Sequence, residues 1–162
     1  MLIPPQRMKA SFLILLIIIG AVFIQAGEVE RPGTLTREDI LRSCPEWEAD
    51  AAAYAPDPGV IEKLRDAAVE VRIDIYLGTW CPDSKTHVSG YFKVMDLVDS
   101  PLYQTVYIGI PRDETLRESY VAGKDIHKLP TFVVTVNGQN KGRIIETPGK
   151  SIEEDLLAII ER

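Results

Sequence analysis

Val71-Arg72-Ile73-Asp74-Ile75-Tyr76-Leu77-Gly78-Thr79-Trp80-Cys81-Pro82-Asp83-Ser84 decides the fold, because its period changes partway along. Val71, Ile73, Ile75 and Leu77 alternate with Arg72, Asp74 and Tyr76, the two-residue period of a strand with one face in a core. Gly78-Thr79-Trp80 reads as a loop, and a helix is expected from about Cys81-Pro82 to Val98. Pro82 suits the first helical turn, where the N–H it lacks would have no helical partner. Cys81 therefore stands where a buried strand hands over to a helix N-terminus. The first N–H groups of a helix are unpaired and its dipole is positive at that end. Both favour a thiolate, the nucleophile of disulfide exchange.

Downstream, Gln104–Ile110 is expected as a strand, Pro111–Asp113 as a turn into a short helix ending near Gly123, and Thr131–Val136 as a third strand. Asn137-Gly138 is a hairpin signal. The turn is read as extended through Gly142, with a fourth strand over Arg143–Glu146. Ser151 and Glu154 cap a last helix to Ile160. Upstream, Glu28–Gly33 reads as a polar lead-in. Thr36 with Asp39, and Ser43 with Glu46, suggest capped helices over Arg37–Arg42 and Pro45–Tyr54. Val60–Val69 has helical spacing. From Val71 the order is strand, helix, strand, helix, strand, strand, helix. A crossover requires parallel pairing in the first half, and the hairpin antiparallel pairing in the second. An α/β fold follows, with a mixed four-stranded sheet flanked by helices and an N-terminal helical extension.

The strand Val71–Leu77, the motif Gly78-Thr79-Trp80-Cys81-Pro82-Asp83-Ser84, the later Lys128-Leu129-Pro130-Thr131-Phe132 and the final hairpin together resemble the thioredoxin superfamily. The wording Gly-Thr-Trp-Cys-x-Asp-Ser is similar to a bacterial thioredoxin-like branch in which serine is usual at that place. The resemblance covers roughly Val71–Arg162. It implies a thioredoxin-like fold, a cis-proline at Pro130 beside the cysteine, and thiol–disulfide chemistry. It also implies a docking surface made of Trp80, Pro82, Leu129 and Pro130, with Cys81 as the reacting sulfur and Ser84 hydrogen-bonding it.

Two departures bear on mechanism. Ser84 stands where a resolving cysteine is usual, and a hydroxyl cannot expel a bound partner by forming an internal disulfide. A buried acid is often found six residues before the first cysteine, where this chain has Ile75; Asp74, one residue off, points to the other face by alternation. Asp83 would oppose a thiolate, and Lys85 could offset it. Cys44 also precedes a proline at an expected helix start, Ser43-Cys44-Pro45-Glu46. It is either an internal resolving thiol for Cys81 or a buried apolar residue. His87 reads as a surface residue; His127 lies near the expected cis-proline. Two histidines and two cysteines without close spacing do not suit zinc. No nucleophile-elbow pattern is present, and the sequence shows no sign of a cofactor.

Arg7 and Lys9 precede a nearly unbroken apolar run, Phe12–Ile24, and Gln25-Ala26-Gly27 follows. That layout is a secretory signal cut after Ala26, or an uncleaved membrane anchor. Residues 1–26 are thus expected as signal or anchor, 27–69 as lead-in and N-terminal helices, and 70–162 as the thioredoxin-like core. A net charge of −6 without a basic stripe argues against nucleic acid. The expected function is single-cysteine disulfide exchange or mixed-disulfide capture with protein or small-molecule thiols, in the periplasm or secreted. The alternatives are a non-catalytic binding or chaperone-like module on the same fold, and a Cys44–Cys81 redox switch. The sequence does not set the oligomeric state.

Overall fold

The structure is a computed structural model that describes residues 30–162. The apolar run Phe12–Ile24, expected as signal or anchor, lies outside the described residues. Five strands and six helices follow in the order β1 (Gly33–Leu35), α1 (Arg37–Ser43), α2 (Glu46–Ala53), α3 (Pro58–Asp66), β2 (Val71–Leu77), α4 (Pro82–Val98), β3 (Tyr103–Gly109), α5 (Glu114–Val121), β4 (Thr131–Val136), β5 (Gln139–Ile145) and α6 (Ile152–Ile160). The sheet order is β1-β3-β2-β4-β5. β2 is parallel to β3 and antiparallel to β4, and β4 and β5 form the hairpin. This is a thioredoxin-like fold, and the alternation that opens the chain's central stretch places β2 at the middle of its sheet.

Val71, Ile73, Ile75 and Leu77 enter the main core, with Phe132 and Val134 from β4, Val88, Tyr91, Phe92 and Val94 from α4, and Leu156 from α6. Ile40, Trp47, Ile61 and Leu64 from α1, α2 and α3 belong to the same core. The opposite face of β2 presents Tyr76, which packs with Ile110 and Ile126 under Tyr120 and Val121 of α5. α5 itself has no fully buried residue.

The sheet has five strands rather than the four expected. Gly33–Leu35, lying between the expected lead-in that ends at Gly33 and the expected cap at Thr36, pairs antiparallel with β3, Gly33 opposite Gly109. Three residues are too few to show a period, so the pairing partner alone defines this strand. Gly109 is required there: a Cβ would sit 1.8 Å from the Arg31 carbonyl oxygen. β5 begins at Gln139, four residues before the expected start. Asn137 and Gly138, at φ +48° and +76°, complete a two-residue turn. The strand then absorbs an extra residue, Lys141, between pairs Thr135–Asn140 and Val134–Gly142. Of the two capping boxes expected in the N-terminal region, the Thr36–Asp39 one forms. The Ser43–Glu46 one does not: Ser43 closes α1 by donating to the Asp39 carbonyl at 2.9 Å, and α2 starts from Pro45 without a side-chain cap.

Candidate functional site

The site forms where the C-terminal end of β2 turns into α4. The Cys81 N–H donates to the Gly78 carbonyl at 3.0 Å, closing a tight turn over Gly78–Cys81. Gly78 has no room for a side chain, since a Cβ would lie 2.8 Å from the Trp80 ring. Cys81 is the N-cap of α4 and Pro82 its first residue. Cys81 keeps 9% of its surface exposed, at the margin between core and solvent. Its thiol donates to the Leu129 carbonyl at 3.6 Å. The Leu129–Pro130 bond is cis, as the resemblance implies. Leu129 packs on the Tyr76–Ile110–Ile126 cluster. The cis-proline loop is tied in place by Glu146 N–H donating to the Pro130 carbonyl at 2.7 Å and by the Lys128–Glu146 ion pair.

Ser84 is fully buried, and its Oγ accepts from the Gly78 N–H at 3.1 Å. The expected bond to the Cys81 sulfur is not among the bonds that the described residues give it; the hydroxyl secures the turn that carries the cysteine. Ile75 is fully buried, and Asp74 pairs with Arg72 on the other face at 2.9 Å, so no acid stands behind the motif from that strand position. Asp83 is exposed, and Lys85 reaches Asp50 of α2 at 3.3 Å.

Trp80 is half-buried and fixed. Its indole N–H donates to the Ile110 carbonyl at 2.9 Å. The guanidinium carbons of Arg112 and Arg117 stand 5.3 and 5.1 Å from its ring centroid. Neither arginine was marked by the sequence, because Arg112 lies in a turn and Arg117 on a short polar helix, and only the fold returns them to Trp80. Pro82 is exposed and its carbonyl accepts from Thr86 Oγ1 at 3.2 Å.

Cys44 is buried at the C-terminal end of α1, and its thiol donates to the Thr79 carbonyl at 3.5 Å. The fold thus brings Cys44 onto the same turn that carries Cys81. His127 is exposed and bonded to Asp125 at 2.8 Å. His87 is half-buried on α4, where burial lowers its pKa and Asp83 opposes that. It lines a cleft of about 310 Å³ with Tyr54, Gly90, Pro148, Lys150 and Ile152, and Cys81 is not part of that wall.

A second feature invisible to sequence reading is Glu153, a carboxylate only 3% exposed in the first turn of α6. It accepts from Tyr54 Oη at 2.7 Å and from the Asp57 N–H at 3.1 Å. Burial pushes its carboxyl up, but these donors and its own backbone N–H together hold it below the ordinary glutamate value. Tyr54, half-buried and facing this carboxylate, is pushed up to about 12 by desolvation and by the bond to Glu153. Among the described residues no group of three histidine, cysteine or carboxylate side chains suits a metal, and no helix is long and apolar enough to cross a membrane.

No protein-family model matches the chain, and no curated protein matches it. Among solved structures, the chain is similar to a protein of unknown function from Pseudomonas aeruginosa, with a TM-score of 0.56 and 19% identity over 75% of this chain and 84% of that one. It is also similar to an HIV epitope-scaffold, with a TM-score of 0.55 and 20% identity over the same shares. At these identities the likeness concerns the fold alone. A mutant thioredoxin from Halobacterium salinarum aligns at a TM-score of 0.40 and 15% identity, over 67% of this chain and 85% of that one, too weakly to carry an argument.

Proposed function

We propose that the chain is a single-cysteine thiol–disulfide protein working outside the cytosol, with Cys81 as the sulfur that attacks or holds a disulfide partner. The observation that carries this reading is the approach of Cys81 Sγ, at the N-terminus of α4, to the Leu129 carbonyl of the cis-proline loop at 3.6 Å. A thiolate there attacks one sulfur of a partner disulfide. A new S–S bond forms to Cys81, the old S–S bond breaks, and the leaving thiolate takes up a proton from water. Ser84 has no sulfur to reverse this, so the mixed disulfide lasts until an outside thiol attacks it. Trp80, Pro82, Leu129 and Pro130 form the surface against which the partner docks. Residues 70–162 carry this chemistry, with 27–69 as an N-terminal extension. Export rests on the run Phe12–Ile24: a mature chain starting at Gly27 supports a cleaved signal, and full-length chain in the membrane fraction supports an anchor.

The test is alkylation of the native protein at neutral pH. Cys81 is expected to react about tenfold or more faster than glutathione. A rate at or below that of glutathione would favour a non-catalytic binding module on the same fold.

A second reading is favoured by the contact of Cys44 Sγ with the Thr79 carbonyl at 3.5 Å. In it, the Cys44 thiolate attacks the Cys81 sulfur of the mixed disulfide, forming a Cys44–Cys81 bond and releasing the partner as a thiol. Intact mass decides between them. A loss of two hydrogens on mild oxidation supports the internal bridge; an unchanged mass leaves Cys81 acting alone.

A further inference from the structure

We propose that Asn137 is a self-modifying site: the Gly138 nitrogen attacks the Asn137 side-chain amide, and the Glu70 N–H activates that amide for the attack. The products are aspartate and isoaspartate in the turn between β4 and β5. The isoaspartate loosens the tie between that turn and the start of β2.

Asn137 and Asn140 are the chain's two asparagines, and both lie in this hairpin. Asn137 and Gly138 are exposed and make its two-residue turn. Two bonds clasp the turn to the residue before β2. The Asn137 N–H donates to the Glu70 carbonyl at 2.9 Å, and the Glu70 N–H donates to Asn137 Oδ1 at 3.1 Å. The second bond matters chemically. It draws electron density onto Oδ1, where negative charge develops as a nucleophile adds to the amide carbon.

The nucleophile is the next residue. Among the described residues the Gly138 N–H has no hydrogen-bond partner. Nothing lies within 4 Å of the place a Gly138 Cβ would take, so neither a side chain nor a neighbour shields the nitrogen. A cleft of about 200 Å³ bounded by Glu70, Arg72, Thr135 and Gly138 opens the turn to water. Asn140 lacks this setting. It is paired with Thr135 in the ladder, and the residue after it is Lys141, whose side chain crowds the attacking nitrogen.

Hydroxide removes the Gly138 amide proton. A bond forms from that nitrogen to Asn137 Cγ, the Cγ–Nδ2 bond breaks, and Nδ2 leaves as ammonia with a proton from water. Water then opens the cyclic imide at either carbonyl. One opening restores the ordinary backbone with aspartate. The other runs the main chain through the former side chain, as isoaspartate, and adds a methylene to the turn. The Val136–Gln139 pair closes on two residues of ordinary length, so the longer turn gives up that pair or the Glu70 clasp.

The test incubates the folded full chain at mildly alkaline pH, with a parallel sample in concentrated urea. Peptide mapping follows the gain of roughly 1 Da at each asparagine, and isoaspartate methylation separates the two products. In the folded chain Asn137 should convert about tenfold or more faster than Asn140. Glu70→Pro deletes the activating N–H and should slow Asn137 about fivefold in the folded chain, but leave its rate in urea unchanged. The isoaspartate form should melt several degrees below the parent. Conversion of Asn137 in urea but not in the folded chain would overturn the proposal. A Glu70→Pro chain that is folded and converts faster would show the clasp to be protective, which overturns it equally. An isoaspartate form melting with the parent would remove the proposed loosening.

Discussion

Cys44 and Cys81 have nearly the same local sequence, each followed by a proline and then an acid, and the fold treats them differently. Cys44-Pro45 joins two helices. Its thiol is 3% exposed and turned inward to the Thr79 carbonyl. Cys81-Pro82 joins a central strand to a long helix, and its thiol faces the cis-proline loop at the rim. A helix start after a cysteine therefore does not by itself decide where the thiol points or how far it is buried. The end of the central strand carries the Cys81 sulfur to the margin between core and solvent, and the Cys44 sulfur has no such position. What separates the two is tertiary: α2 and α3 bury Trp47, Ile61 and Leu64 in the common core and carry Cys44 inside with them.

The largest expected effect is on labelling. Cys81→Ser should lower thiol alkylation of the native protein by about 100-fold, because Cys44 reacts only when the structure opens. Labelling that persists after Cys81→Ser would erase the distinction between the two cysteines. Next is Trp47→Ala, which empties a 1%-exposed position beside Cys44 and should cost about 3–5 kcal/mol in denaturant melts. The same change should make Cys44 alkylate faster.

Glu153→Gln is expected to cost about 1–3 kcal/mol. Two donors, Tyr54 Oη and the Asp57 N–H, meet separate carboxylate oxygens, and an amide offers only one acceptor. The carboxyl is held below its ordinary value, so its contribution is complete above the unfolded glutamate pKa of about 4.3 and is lost as pH falls through the lower folded value. Melting curves of the parent and Glu153→Gln should therefore converge in acid, and a gap that widens there would contradict the assignment. The smallest effect is expected for Lys85→Ala. It cuts a half-exposed tie between α4 and α2 and should cost about 0.2–1 kcal/mol, with at most a slight rise in Cys44 labelling.

What could be read from the sequence depended on length and locality. β2 and α4 were legible because seven alternating residues and a proline at a helix start leave few other structures. The Asn137-Gly138 turn was legible because both residues tolerate a positive φ. β1 was not, since three residues have no period. β5 was shortened because Gln139–Lys141 looks like turn chemistry, and only the bulge opposite Thr135 turns it into strand. At the site, Cys81, Trp80 and the Leu129–Pro130 loop could be named from their motifs. The burial of Ser84 against the Gly78 N–H, the seat of Cys44 on the Thr79 carbonyl and the two arginines over Trp80 could not. Each joins residues that meet only after the chain has crossed over the sheet or turned back on itself.

The short strand at Gly33 and the bulge in β5 also govern how the chain meets copies of itself. Strands at the margins of a sheet invite another chain to pair, and they are blunted by brevity, charge or irregularity. One margin here is three residues long. The other carries Lys141 as its bulged residue and Arg143 beside it, with Gly142 between them at φ +152°. Neither offers the long, flat, uncharged ladder from which fibres and swapped dimers grow, so a crowded solution of this protein should resist self-templating aggregation.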